Sequence, residues 1–167
     1  MQALELTDIK DFMNKFLCTD TFDHFLLQEG VITMAATCTI NGRITEDFYS
    51  SEEKEELGLT GLLFLPYGML RSSCFNLIKG KKTPSSFHFI LLLSPDNLRR
   101  TLADIGSSFT EQDISGMFLN IRYQNGALTL TTGVSYRIFS PDKTLEREWA
   151  RLVCLFFKQQ KIPFIEL

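Results

Sequence analysis

The sequence predicts an α+β fold: a mainly antiparallel sheet backed by about four helices, made of one strand-helix-hairpin-helix unit written twice. Three observations predict it. Two Asn-Gly pairs, Asn41-Gly42 and Asn125-Gly126, each stand between runs of alternating apolar residues, the strongest short-range mark of a β-hairpin. Apolar residues at helical spacing flank both pairs. Between the two units, Phe87 to Leu93 is apolar at alternate and intervening positions alike, broken only by His88, and reads as a central strand, covered on both faces or lying at an internal junction.

The first half opens with a short strand at Leu4 to Leu6. Thr7 then stands where an N-cap belongs, and Ile9, Phe12, Met13, Phe16 and Leu17 follow at helical spacing. Phe25 to Leu27 reads as a short edge strand. Val31 to Ile40 alternates, Asn41-Gly42 turns it, and Arg43 to Tyr49 returns as its partner, because both central positions of a two-residue hairpin turn must accept positive φ. The four glutamates around Lys54 in Ser50 to Glu56 suit a solvated helical turn. Pro66 fits the first position of a helix with Leu70, Cys74, Leu77 and Ile78 as its buried stripe and Gly80 as its stop.

The second half repeats the order. Ser94-Pro95-Asp96 supplies an N-cap, a proline at the first helical position and an acid in the first turn; Leu98, Leu102 and Ile105 form the stripe, and Gly106 ends it. Met117 to Tyr123 and Leu128 to Ile138 alternate on either side of Asn125-Gly126. Leu145, Trp149, Leu152, Val153, Phe156 and Phe157 mark the cleanest amphipathic helix, and Pro163 leads into a last short strand. The matching order of hairpins, caps and helix ends predicts one domain, residues 1–167, with pseudo-symmetric halves 1–86 and 87–167.

A chain of 167 residues, 44% apolar and 12% aromatic, is long enough to bury one real core. No apolar run approaches the roughly 20 residues that cross a bilayer, so no membrane contact is expected. The N-terminus has no basic start and no cleavage pattern, and Cys18, Cys38, Cys74 and Cys154 show no paired spacing. Reduced thiols, a cytoplasmic location and neither metal nor cofactor follow as expectations.

Two resemblances add to this. The run Cys74 to Phe87, then Leu119-Asn-Ile-Arg-Tyr123, Thr131-Thr-Gly-Val-Ser135 and Asp142-Lys-Thr-Leu-Glu-Arg-Glu-Trp149, resembles an uncharacterised family from anaerobic Gram-positive bacteria over residues 63 to 165. That family brings no activity with it. The doubled strand-helix-hairpin order is also similar to one domain of a DNA sliding clamp, a likeness of topology alone.

Catalytic signals are sparse. Gly80-Lys81-Lys82-Thr83 lacks the earlier glycine of a phosphate-binding loop, since Phe75 stands there, and it joins helix to strand. Gly133-Val134-Ser135 lacks the closing glycine of a nucleophile elbow. Only His24 and His88 offer imidazoles, and both read as structural, although nucleophile and base need only meet in space, as Cys38 and His88 would. The one feature leaning toward function is charge: most of the 17 Lys and Arg residues fall on the predicted helices or just past their ends. Arg71, Lys79, Lys81, Lys82, Arg99, Arg100, Arg147 and Arg151 are the candidate nucleic-acid contacts on this basic helical layer. The reading is a non-catalytic binding or scaffold domain that meets a protein partner, or nucleic acid weakly and without sequence preference in a sliding-clamp-like manner. Homo-oligomerisation is compatible with it. The alternative is a small cytoplasmic enzyme with a spatially assembled Cys/His or carboxylate site.

Overall fold

A computed structural model describes all 167 residues as an α+β fold with five helices and one seven-stranded antiparallel sheet. The elements are β1 (Ala3–Leu6), α1 (Ile9–Cys18), β2 (Leu26–Thr33), β3 (Thr37–Asn41), α2 (Ser51–Leu57), α3 (Tyr67–Ile78), β4 (Ser86–Leu92), α4 (Pro95–Asp104), β5 (Ile114–Gln124), β6 (Ala127–Tyr136), α5 (Thr144–Gln159) and β7 (Phe164–Glu166). Across the sheet the order is β3-β2-β4-β5-β6-β1-β7. β4 is interior, flanked by β2 and β5, and β5 holds the middle.

The element order repeats, but the pairing does not. β1 pairs with β6 and β7, whereas β4, which stands first in the second half as β1 does in the first, pairs with β2 and β5. The sheet therefore lends the predicted duplication no two-fold axis.

Helices α1, α3 and α5 cover one side. Phe12 and Phe16 of α1 are fully buried, and Phe16 sits 4.6 Å from Tyr67 of α3 and 5.0 Å from Phe89 of β4, ring centre to ring centre. Phe12 reaches Phe157 of α5 at 6.4 Å. The buried Tyr67 hydroxyl donates to the Phe16 carbonyl at 2.9 Å, so the largest polar group brought into this layer is satisfied. The opposite face of the sheet is not covered in this way. In β4, Phe87, Phe89 and Leu91 are buried while Ser86, His88, Ile90 and Leu92 are half-buried, which corrects the expectation of a strand covered on both faces. Apolar content of a strand says how much oil it carries, not how many layers lie over it.

Local signals behaved unequally. Ser94 caps α4 by accepting from the Asn97 amide, with Pro95 at the first position, and Ser50 and Glu53 form a full capping box on α2, none of whose residues is buried. Asp8, not Thr7, caps α1 by accepting from the Asp11 amide at 3.0 Å. Asn125 and Gly126 both hold positive φ, 54° and 75°, as a tight hairpin turn requires. Asn41-Gly42 does not turn: neither residue is among those with positive φ, and the first hairpin instead closes through Met34 to Ala36, pairing β2 with β3. Arg43 to Tyr49 forms no strand; only Arg43 makes a bridge, to Phe64.

Gly42 serves a close approach instead. β2 bulges between Leu27 and Glu29, and a Cβ on Gly42 would lie 1.8 Å from the Leu27 carbonyl oxygen. Gly42 donates to the Gln28 carbonyl at 3.1 Å and accepts from the Leu65 amide at 2.9 Å, which pins the returning arm before α3 beside the start of β2. Gly42→Ala must break this knot and is expected to cost about 3 kcal/mol. Gly126→Ala meets open space and only the strain of its positive φ, about 1 kcal/mol. Urea unfolding midpoints check the order, with Gly42→Ala the less stable of the two.

Candidate nucleic-acid interface

The eight basic candidates fall into three groups. On α3, Arg71 is half-buried and bound to Asp23 by two hydrogen bonds, at 2.8 and 3.2 Å, which raises its pKa and commits its charge inside the fold. Lys79 ends α3 with its ammonium 5.6 Å from the centre of the Phe75 ring, and Lys81 and Lys82 follow it, exposed. On α4, Arg99 is held by Glu111 at 3.0 Å and by Asp96, while Arg100 is exposed with no acid in ion-pairing range. On α5, Arg151 pairs with Glu148 at 2.9 Å, and Arg147 is exposed and unpaired.

The α5 pair, Arg147 and Arg151, lines a groove. Arg147, Ala150, Arg151, Cys154, Leu155 and Lys158 form one wall, Gln2 and Glu166 the other, around 360 Å³. Lys143, at the N-cap of α5, and Arg147, Arg151 and Lys158 within it fall in an arc of about 80°, since each step of four residues turns about 40° past a full turn and a step of seven falls about 20° short of two. Lys143 spends part of its charge on Glu146 at 3.5 Å; Lys158 has no acidic partner. Lys143 and Lys158 escaped the sequence-level site although their spacing from Arg147 and Arg151 carried the signal. α3 lies over β2 and α5 over β6, and in the sheet β4 and β5 separate those strands, so the Arg71 group and the α5 stripe stand well apart on the helical layer.

The other candidates are placed decisively. Cys38 lies opposite Ile32, which lies opposite Phe87, so Cys38 points to the helical side. His88, the next residue after Phe87, points to the other. The sheet separates thiol from imidazole, and the Cys38–His88 pair is ruled out. His24 is exposed in the turn before β2. Gly80 to Thr83 does join helix to strand, and Ser135 hydrogen bonds with Ser115 across a hairpin, at 2.8 Å. No group of three or more His, Cys, Asp or Glu side chains is arranged to hold a metal ion, and no helix is long and apolar enough to cross a membrane.

The model of a family of unknown function, DUF5721, matches residues 15–165. The chain belongs to that family. The matched residues run from within α1 to within β7 and leave out β1. No curated protein and no solved structure matches the chain.

In this member of DUF5721 all four cysteines are free thiols of unequal access. Cys74 is fully buried against the core, and burial pushes its pKa up to about 11. Cys154, beside the α5 groove, is also raised by burial. Cys18 is exposed at the end of α1. Iodoacetamide at pH 8 is therefore expected to modify Cys18 first and to spare Cys74 until the chain unfolds, an order that peptide mass spectrometry reads directly.

Proposed function

We propose that the domain is a non-catalytic, cytoplasmic binding module that meets the phosphate backbone of nucleic acid along α5, without reading sequence. The observation that carries this reading is the row of Arg147, Arg151 and Lys158 along a groove, with Lys143 at the head of the same helix; Arg147 and Lys158 make no ion pair, although Glu166 lines the same groove. A helix presenting a row of cations to solvent is suited to backbone contact, where charge and not base identity sets affinity. Lys79, Lys81 and Lys82 at the end of α3, and Arg100 on α4, are exposed positive charges elsewhere on the molecule. Arg71 and Arg99 are already held by acids, as Arg151 is by Glu148, so the charge free for the contact is chiefly that of Arg147 and Lys158. A sliding-clamp-like mode would use this helical side, but the reading does not depend on that likeness.

The test is binding of fluorescent single- and double-stranded DNA at about 50 mM salt. Affinity should fall with salt at a log-log slope of roughly −0.9 per phosphate neutralised on duplex. The Arg147→Glu, Lys158→Glu double variant should lose most of the binding and shorten the slope, whereas Arg71→Gln should leave the slope unchanged. No binding at that salt, or equal loss in both variants, would discard the nucleic-acid reading.

A further inference from the structure

A second groove lies away from α5 and is chemically its opposite. Five chain segments converge on it: Leu26 at the start of β2, Leu63 and Phe64 on the arm before α3, Leu92 and Leu93 at the end of β4, Pro95 and Leu98 on α4, and Gly116 with Arg137 from β5 and the end of β6. It encloses 360 Å³. Leu26 and Leu98 are nearly buried in its floor, while Leu63 at its lip is 62% exposed. Apolar exposure continues past the lip: Ile138 is 48% and Phe139 94% exposed, one and two residues beyond Arg137. An exposed apolar run beside a preformed apolar trough is unfavourable in water unless something covers it.

Charge narrows what that is. Arg137 lines the groove and has no acid in ion-pairing range, while the groove's own carboxylate, Glu111, is committed to Arg99 at 3.0 Å. The free electrostatic demand of the site is thus for one anion next to an apolar body. The exposed Leu63 and Phe139 carry the apolar surface beyond the trough, so an occupant that covers all of it extends past the trough, as a chain does and a compact small molecule does not.

We propose that this groove docks a short peptide segment of a partner protein, with two or more apolar side chains seated over Leu26, Leu92 and Leu98 and one carboxylate paired with Arg137. The inference stands independently of the nucleic-acid reading, because it shares no residue with the α5 groove. Gly116 offers a direct handle: a Cβ there makes only ordinary contact, 3.4 Å from Leu92, so Gly116→Leu fills the trough from its floor.

The experiment selects random decapeptides displayed on phage against the whole chain, then measures the best synthetic peptide by fluorescence polarisation. Selected peptides should share apolar residues flanking an Asp or Glu. Binding should weaken about tenfold or more in Arg137→Glu, in Gly116→Leu and in Leu63→Ser, and stay unchanged in Arg147→Glu. Leu63→Ser, at a largely exposed position, keeps the test valid if Gly116→Leu unfolds, which circular dichroism reports. Peptides that lack an acid, or that bind wild type and the three groove variants alike, would overturn the proposal. So would saturation by dodecanoate with no peptide selected, or a dimer in light scattering that dissolves in Leu63→Ser.

Discussion

The packing of α1 between α3 and α5 is the constraint on which the other features depend. Phe12 and Phe16 lie one helical turn apart, and together they touch Phe22, Phe157, Tyr67 and Phe89, which joins three helices and the sheet through two side chains. Aromatic groups in such tilted and edge-on contacts contribute beyond the area they bury, by about 0.5 to 1.5 kcal/mol per pair. The sheet yields space for them. Gly30 of β2 sits opposite Phe89, and a Cβ there would come within 2.7 Å of the Phe89 ring, so the bare backbone lets that ring lie flat beneath α1.

Concentrating the aromatic core on one side leaves the other side of the sheet to be solved by polarity. One register row, Thr39, Val31, His88, Arg122, Thr129, Glu5 and Ile165, crosses all seven strands on that face and mixes β-branched, polar and charged side chains. Such a row pairs well across strands without building a second core. It also explains His88, which is one member of a ladder between Val31 and Arg122, with the Cys38 thiol on the other side of the sheet. Toward one end this face turns apolar, with Leu26, Leu92 and Phe118 in register; Phe118 lies against Gly133, where a Cβ would meet the ring at 2.4 Å, and this end leads to the apolar trough.

Most elements were legible because each rests on a signal held within a few residues. The cap and proline of α4, the stripe of α5 and the Asn125-Gly126 turn depend only on neighbours in sequence. The first hairpin was misread for a tertiary reason. Alternation runs from Val31 through Ile40 without a break, yet the chain folds back at Met34 to Ala36, so that Ile40 stands opposite Gly30 and Cys38 opposite Ile32 on the helical side. Nothing local announces that turn, and Asn41-Gly42, which does announce one, is used for a contact with a bulge in another strand. The middle run of the sheet failed similarly, since hydrophobicity does not report whether a second layer exists.

The candidate site divides along the same line. Helical spacing was enough to place Arg147 and Arg151 together, because an α-helix sets its own geometry. It was not enough to foresee which cations remain free, since that depends on acids arriving from elsewhere: Asp23, from the turn after α1, takes Arg71, and Glu111, from the loop after α4, takes Arg99. A count of bases on helices therefore overstates the usable charge, and Arg147 and Lys158 keep theirs because no carboxylate, not even Glu166 across the groove, comes within ion-pairing distance of them. The apolar groove lies further still from what a sequence displays. Its walls come from five separated segments, and the leucines among them look, one by one, like ordinary core. What distinguishes them is a failure of closure, with Leu63 and Phe139 left in solvent beside an unpaired arginine, and that failure exists only once the chain has folded.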